Sequence, residues 1–207
     1  MLVTEIKKEK QHLTRLLFAD GESLLLDNDI CAERDIRIGA NIPEGVLKEL
    51  KHDSDYKRAK TRALWYLDRM DYTEKALFEK LVKAGFGKRA SAEVLAKLCE
   101  FGLVDDRRYA ERFAEKCALS NISKREAVHK MLLKGVPLQL AKEVTEELDT
   151  DETEQIVALI EKKYVRKLSE DKGYQKVFAA LARKGFSFDS IKSALKKYNE
   201  GLEFSEE

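Results

Sequence analysis

Asp105 and Asp106 form an adjacent carboxylate pair, the residue type and spacing in this chain best suited to hold a divalent metal. Their setting favours a simpler role. Both stand just before the helical spacing of Tyr109, Phe113 and Cys117, so Asp105 can cap a helix and both charges can meet its positive end. His12, His52 and His129 lie far apart and form no ligand-spaced pair. Cys31, Cys99 and Cys117 are odd in number and lack metal or redox spacing. Cys117 follows Phe113 by four residues on one helical face and reads as a buried, reduced thiol. No P-loop glycine pattern and no nucleophile motif occurs. Catalytic residues, metal ligands and a cofactor are therefore not expected; a metal enzyme would need acidic residues converging from separate segments.

Basic and aromatic residues offer binding chemistry instead. Candidate partner-binding clusters are Lys57, Arg58, Lys60 and Arg62; Lys88 and Arg89; Arg107, Arg108 and Arg112; and Lys124 and Arg125. Each taken alone is most simply a solvated helix face. Trp65 and Tyr66, with Tyr72, can stack nucleic-acid bases, although helical spacing favours a core role for them. The whole chain carries 39 basic and 38 acidic side chains, a formal net charge of +1. Residues 1–56 have a net charge of −4 and residues 57–104 one of +5, which points to local patches and not to a uniformly cationic surface. No stretch is apolar and long enough for a signal peptide or a membrane span, so a cytoplasmic protein with no membrane partner is expected.

The elements that must position these residues follow from a repeat. Gly85, Gly135 and Gly185 stand fifty residues apart, in KLVKAGF, KMLLKGV and ALARKGF respectively. Phe78, Val128 and Phe178 share one column, Leu81, Met131 and Leu181 a second, and Leu98, Leu148 and Tyr198 a third. A fixed period of this size marks tandem units with an extended surface. Each unit reads as three short helices, the glycine ending the second. Thr73, a Ser123–Glu126 capping box and Ser187 supply start signals, and Pro137 stands near the start of another helix.

Ahead of the repeats, residues 13–26 read as a β-hairpin turning at Asp20-Gly21, followed by a short helix from Asn28 to Arg34. Ile36 to Ile38 reads as extended, Pro43 as the start of a helix to about Lys51, and residues 52–55 as a linker. The expected fold class is mainly α: three tandem three-helix, helix-turn-helix-like repeats in an elongated array, with a small N-terminal β-hairpin-containing module. The divisions are 1–56 for that module, 57–106, 107–156 and 157–199 for the repeats, and 200–207 for an acidic tail. The repeats are expected to fold without residues 1–56.

A helix-turn-helix unit places its last helix in a DNA groove, and the repeats test that idea internally. The third helix of the first repeat opens with Lys88 and Arg89, but that of the second offers Lys142 against Glu143, Glu146 and Glu147. Phosphates repel such a helix, so three equivalent sequence readers are not expected.

At Phe101 to Ala110 the chain reads FGLVDDRRYA, and this segment resembles the RecX family of recombination regulators. The family pattern is Gly-Leu-Ile/Val-Asp-Asp followed by an aromatic residue and alanine in a helix. The glycine turns KLVKAGF and ARKGF, and Gly135-Val136 between them, extend the resemblance over about residues 57–198. The front module is similar to the β-rich extension of some members, and residues 168–173 before the last repeat's middle helix depart from the pattern. The resemblance implies a bacterial cytosolic protein, expected to be a monomer, that binds the RecA–DNA filament and lowers RecA's recombinase and ATPase activities. DNA, single- or double-stranded and with low sequence specificity, is a further expected partner. The runner-up is a helix-turn-helix-like DNA-binding protein acting without RecA.

Overall fold

A computed structural model of the chain describes residues 1–203, with side chains to residue 200; the end of the acidic tail lies outside the described residues. The chain divides into two compact units, residues 1–105 and residues from 106 onward.

The first unit begins with a three-stranded antiparallel meander of β1 (Val3–Glu9), β2 (Leu13–Phe18) and β3 (Ser23–Asp27). Ile6 pairs with Leu16, and Leu16 with Leu24. The β2–β3 hairpin agrees with its Asp20-Gly21 signal, with Gly21 at φ +85°. β1 carries no comparable signal, because its turn uses Gln11 and His12 in the left-handed region (φ 63° and 59°) without glycine. The turn is held from outside: the Asn28 amide donates to the His12 carbonyl at 2.9 Å.

Helix α1 (Asn28–Glu33) is capped by Asp27, whose carboxylate accepts from the Asp29 amide. Residues 36–38, read as extended, join no strand and lie in the loop between α1 and the next helix. From there α2 (Glu44–Leu67) runs unbroken for 24 residues through residues 52–55, which corrects the expected linker. Charge and hydroxyl groups there are structural: Ser54 and Asp55 are buried. Ser54 Oγ accepts from the Asp27 amide at 2.7 Å, and Asp55 Oδ2 accepts from the Gly87 amide at 3.3 Å. A polar composition imitates a linker when its polar groups have inward partners. The first half of α2 gives Leu47 and Leu50 to the core of the β module, and the second half gives Ala59 and Ala63 to the next core.

That core is completed by α3 (Glu74–Lys83), capped by Thr73, and α4 (Lys88–Glu100), with Leu77, Leu81, Phe86, Val94 and Leu98 between them. In the second unit α5 (Asp106–Leu119), α6 (Lys124–Leu133) and α7 (Leu138–Glu147) enclose Ala110, Ala114, Met131, Val136 and Val144. Asp105 stands immediately before α5, in the cap position expected for it, and Asp106 is acidic in its first turn. Ser123 accepts from the Glu126 amide, while the Glu126 carboxylate pairs with Lys130 at 2.9 Å, so the ion pair takes up the reciprocal half of the expected capping box.

The last repeat comprises α8 (Glu152–Lys163), the single turn α9 (Val165–Leu168), α10 (Gly173–Arg183) and α11 (Phe188–Glu203). Ser187 accepts from the Ser190 amide at 3.0 Å, as its place before α11 predicts. Helix α8 crosses the expected 156/157 division, and α2 crosses 56/57. Counting back by a fixed fifty residues misplaces both, since the first helices run 24, 14 and 12 residues while the second helices run 10, 10 and 11. Gly173 explains the departure at 168–173: a Cβ there would stand 2.3 Å from the Lys167 carbonyl oxygen, so only glycine lets α10 start against α9.

The fold is thus mainly α, with repeated three-helix units and a small N-terminal β module. Two of the repeat columns keep one role each. Leu81, Met131 and Leu181 are fully buried in the three helical cores, and Gly85, Gly135 and Gly185 all take φ near +90° (93°, 94° and 88°) to end the second helices.

Candidate functional site

Basic residues stand on helix faces in both units. In the first unit, Lys57, Arg58, Thr61, Arg62 and Trp65 line a cleft of about 600 Å³ along α2. Its other walls are Gln11 and His12 from the β1–β2 turn, Asp27 and Asp29 from the start of α1, and Phe86 from the turn before α4.

Lys57 is held by carboxylates. It pairs with Asp29 and, at 3.2 Å, with Asp27. The hydrogen bond to Asp29 raises the Lys57 ammonium above its usual value, and the same contact lowers the Asp29 carboxyl. Lys57 therefore offsets one of the two charges at the acidic end of the cleft. Arg58 and Arg62 have aromatic partners, with Arg58 5.5 Å from the centre of the Phe86 ring and Arg62 5.5 Å from that of Trp65. Of the aromatic trio, Tyr66 and Tyr72 pack against the first-repeat core as expected. Lys80 covers both rings and donates to the Tyr72 hydroxyl at 2.8 Å. Trp65 corrects the core reading: it is 46% exposed on the cleft side.

Lys88 and Arg89 open α4 and are exposed. Arg89 pairs with Glu93, one turn further along the helix, at 3.0 Å, and Glu93 also meets His52 of α2 at 2.8 Å. The Arg89 hydrogen bond, with His52 after it, holds the Glu93 carboxyl below its usual range. This cluster ties α2 to α4.

In the second unit Arg107 is tied to acids, with Glu147 at 3.2 Å, Glu143 at 3.4 Å and Glu111 at 3.7 Å. Arg107 thus offsets the charge of acidic α7 and joins that helix to α5. Lys124 closes the C-terminal end of α7 by donating to the Leu148 carbonyl at 3.0 Å. Arg108 and Arg112 are exposed on α5, while Tyr109 and Phe113 stack and turn toward the core.

Arg125 faces a second groove, which it lines with His129, Arg183 and Lys184. The groove exists because two repeats approach closely at Gly185. A Cβ on Gly185 would lie 3.0 Å from Ser123 Oγ and 3.1 Å from the Arg125 Cβ, and Ser123 Oγ donates to the Lys184 carbonyl at 2.6 Å. Sequence reading missed Arg183 and Lys184 as neighbours of Arg125. Their signal is the glycine column itself, since both residues immediately precede Gly185.

Both grooves suit anions: guanidinium groups donate several N–H bonds in one plane to phosphate or carboxylate oxygens. Among the described residues no group of three or more His, Cys, Asp or Glu is placed to hold a metal ion, and no helix is long and apolar enough to cross a membrane. Burial raises the Cys117 and Cys31 thiols above their usual value, which disfavours the reactive thiolate.

Comparison with known proteins agrees with the repeat pattern. Residues 59–98 match the first three-helix domain of RecX, and residues 149–195 match the third. The Regulatory protein RecX of Clostridioides difficile is 30% identical over 202 residues, covering 95% of each chain, and that of Clostridium tetani is 25% identical over 204 residues, covering 95% of this chain and 94% of the relative. Among solved structures, RecX from Lactobacillus salivarius aligns with a TM-score of 0.64 at 25% identity, over 70% of this chain and 97% of that one. A second crystal structure of regulatory protein RecX shares the fold, with a TM-score of 0.67 at 19% identity over 94% and 98% of the two chains. Identity of 30% with the C. difficile protein over 95% of each chain, together with the two matched three-helix domains, means that the chain belongs to the RecX family of regulatory proteins.

Proposed function

We propose that this protein is a cytoplasmic regulator that binds the RecA–DNA filament and lowers RecA's recombinase and ATPase activities. The observation that carries the reading is the family correspondence along nearly the whole chain, β module included. The surface chemistry agrees with it. A RecA–DNA filament presents carboxylates and phosphates, and Arg108, Arg112 and Arg125 offer guanidinium groups to either. Successive repeats let one chain make several modest contacts at once, which raises overall affinity without any single strong site.

The alternative, a helix-turn-helix-like DNA reader acting without RecA, is disfavoured by α7. Its Glu143 and Glu147 are engaged by Arg107 to hold the repeat together, so the helix that would enter a groove is an acidic structural strut.

Titration of the full chain into RecA-coated single-stranded DNA, following ATP hydrolysis and filament length together, tests the proposal. Hydrolysis and length are expected to fall in parallel as the protein is added. No change in either at saturating protein would overturn it, and sequence-dependent DNA binding that is indifferent to RecA would favour the alternative.

A further inference from the structure

The cleft along α2 carries more than a charged surface requires. Arg58, Arg62, Trp65 and Arg69 follow at steps of four, three and four residues, so they share one side of the helix and of the turn that ends it. Trp65 is the one tryptophan of the chain. Arg69 lies over its ring, 3.5 Å from the centre, and donates from Nη1 to the Trp65 carbonyl at 2.9 Å, which fixes the indole. Arg62 sits farther from the ring, at 5.5 Å. A guanidinium stacked on an aromatic ring keeps its in-plane N–H groups for acceptors. The two cleft acids, Asp27 and Asp29, both pair with Lys57, whose one charge offsets half of theirs, while Arg58 and Arg62 stand against the aromatic rings of Phe86 and Trp65. Thr61 lines the same wall, and Gln11 and His12 stand across from it.

A half-exposed indole, two arginines beside it and a cavity of about 600 Å³ match a planar ring joined to anionic oxygens. An acidic peptide would use the arginines and leave the indole without a role. Duplex DNA would meet the charges, but its bases present no free face to an indole. We propose that the cleft binds an unpaired nucleotide of a single-stranded nucleic acid. The base stacks on Trp65, displacing the loosely held Arg62 toward a flanking phosphate, and Arg58 takes the other phosphate. The β1–β2 turn closes the opposite side, which gives the N-terminal module a binding role. This binding needs no RecA and stands or falls separately from the filament reading.

Because there is one tryptophan, its fluorescence reports the site directly. The full chain is titrated with a thymidylate oligonucleotide, with a duplex of the same length, and with inorganic polyphosphate. Saturable quenching by the single strand is expected, at roughly tenfold lower concentration than for the other two polyanions. Binding of a labelled strand, followed by anisotropy, is expected to weaken about tenfold in Trp65→Ala and to be largely retained in Trp65→Phe, since stacking accounts for a gain of that order per base. Arg58→Glu with Arg62→Glu is expected to weaken binding similarly and to flatten its salt dependence. Equal quenching by duplex or polyphosphate, no quenching by the single strand at saturation, or undiminished binding by Trp65→Ala would each overturn the proposal. The quenching arm uses the unaltered chain, so a variant that fails to fold leaves the outcome decidable.

Discussion

Gly85 and Gly185 share a column, a backbone angle and a job, yet their surroundings differ. Each ends a second helix at positive φ, where any other residue is strained. An added Cβ on Gly85 meets nothing within 4 Å, whereas on Gly185 it presses on Ser123 Oγ and Arg125. Gly85→Ala is therefore expected to cost the backbone strain alone, about 1–2 kcal/mol. Gly185→Ala should cost on the order of 1 kcal/mol more, because Ser123 both caps α6 and bonds to the Lys184 carbonyl and so cannot retreat freely. Chemical denaturation of the two variants checks this. Equal losses would mean that Ser123 and Arg125 yield, and the contact between these repeats would then be looser than its geometry suggests.

Helix α2 decides how the first unit holds together. Its N-terminal half belongs to the core under the sheet and its C-terminal half to the first three-helix core, so one helix serves both. Asp55 strengthens the second core from within, its buried carboxylate accepting the Gly87 amide. Asp55→Ala leaves that amide without its partner and is expected to destabilise by about 1–3 kcal/mol. A chain beginning at residue 57 loses Asp55, Ser54 and half of α2, so the repeats without residues 1–56 are expected to fold with lower stability than with the helix whole. A chain beginning at residue 44 keeps the helix whole and should melt at a higher temperature than one beginning at 57. Identical melting of the two truncations, followed by circular dichroism, would show that the N-terminal half of α2 adds nothing to the repeat.

Across the whole molecule, near-neutral net charge conceals a division of labour among cations. Lys57, Arg89, Arg107 and Lys124 spend their charge inside the fold, on Asp27 and Asp29, on Glu93, on α7 carboxylates, and on the α7 terminus. Arg108 and Arg112 sit one turn apart on the outer side of α5, and Arg125 faces its own groove. Reversing Arg108 and Arg112 to Glu is expected to weaken inhibition of RecA tenfold or more, about 1.4 kcal/mol in binding, in a variant that keeps its helical circular-dichroism signal. Unaltered inhibition by the folded double variant would shift the filament contact to the Arg125 groove or to the α2 face.

The period of fifty residues, the buried columns, the glycine turns and the caps at Thr73, Ser123 and Ser187 were legible from residue types alone. They are local: helical spacing and a positive φ depend on neighbours three or four positions away. The family was legible for the same reason, through a short segment and its flanking turns. Strand β1, the continuity of α2 and the fate of each cation were not. Those rest on partners distant in the chain, such as Asn28 for the turn at His12, Gly87 for Asp55, and Glu143 and Glu147 for Arg107. A charged residue reads the same whether its partner is solvent or a carboxylate forty positions away. Tertiary packing decides which, and so decides that Trp65 faces a cleft while its neighbour Tyr66 packs against the core.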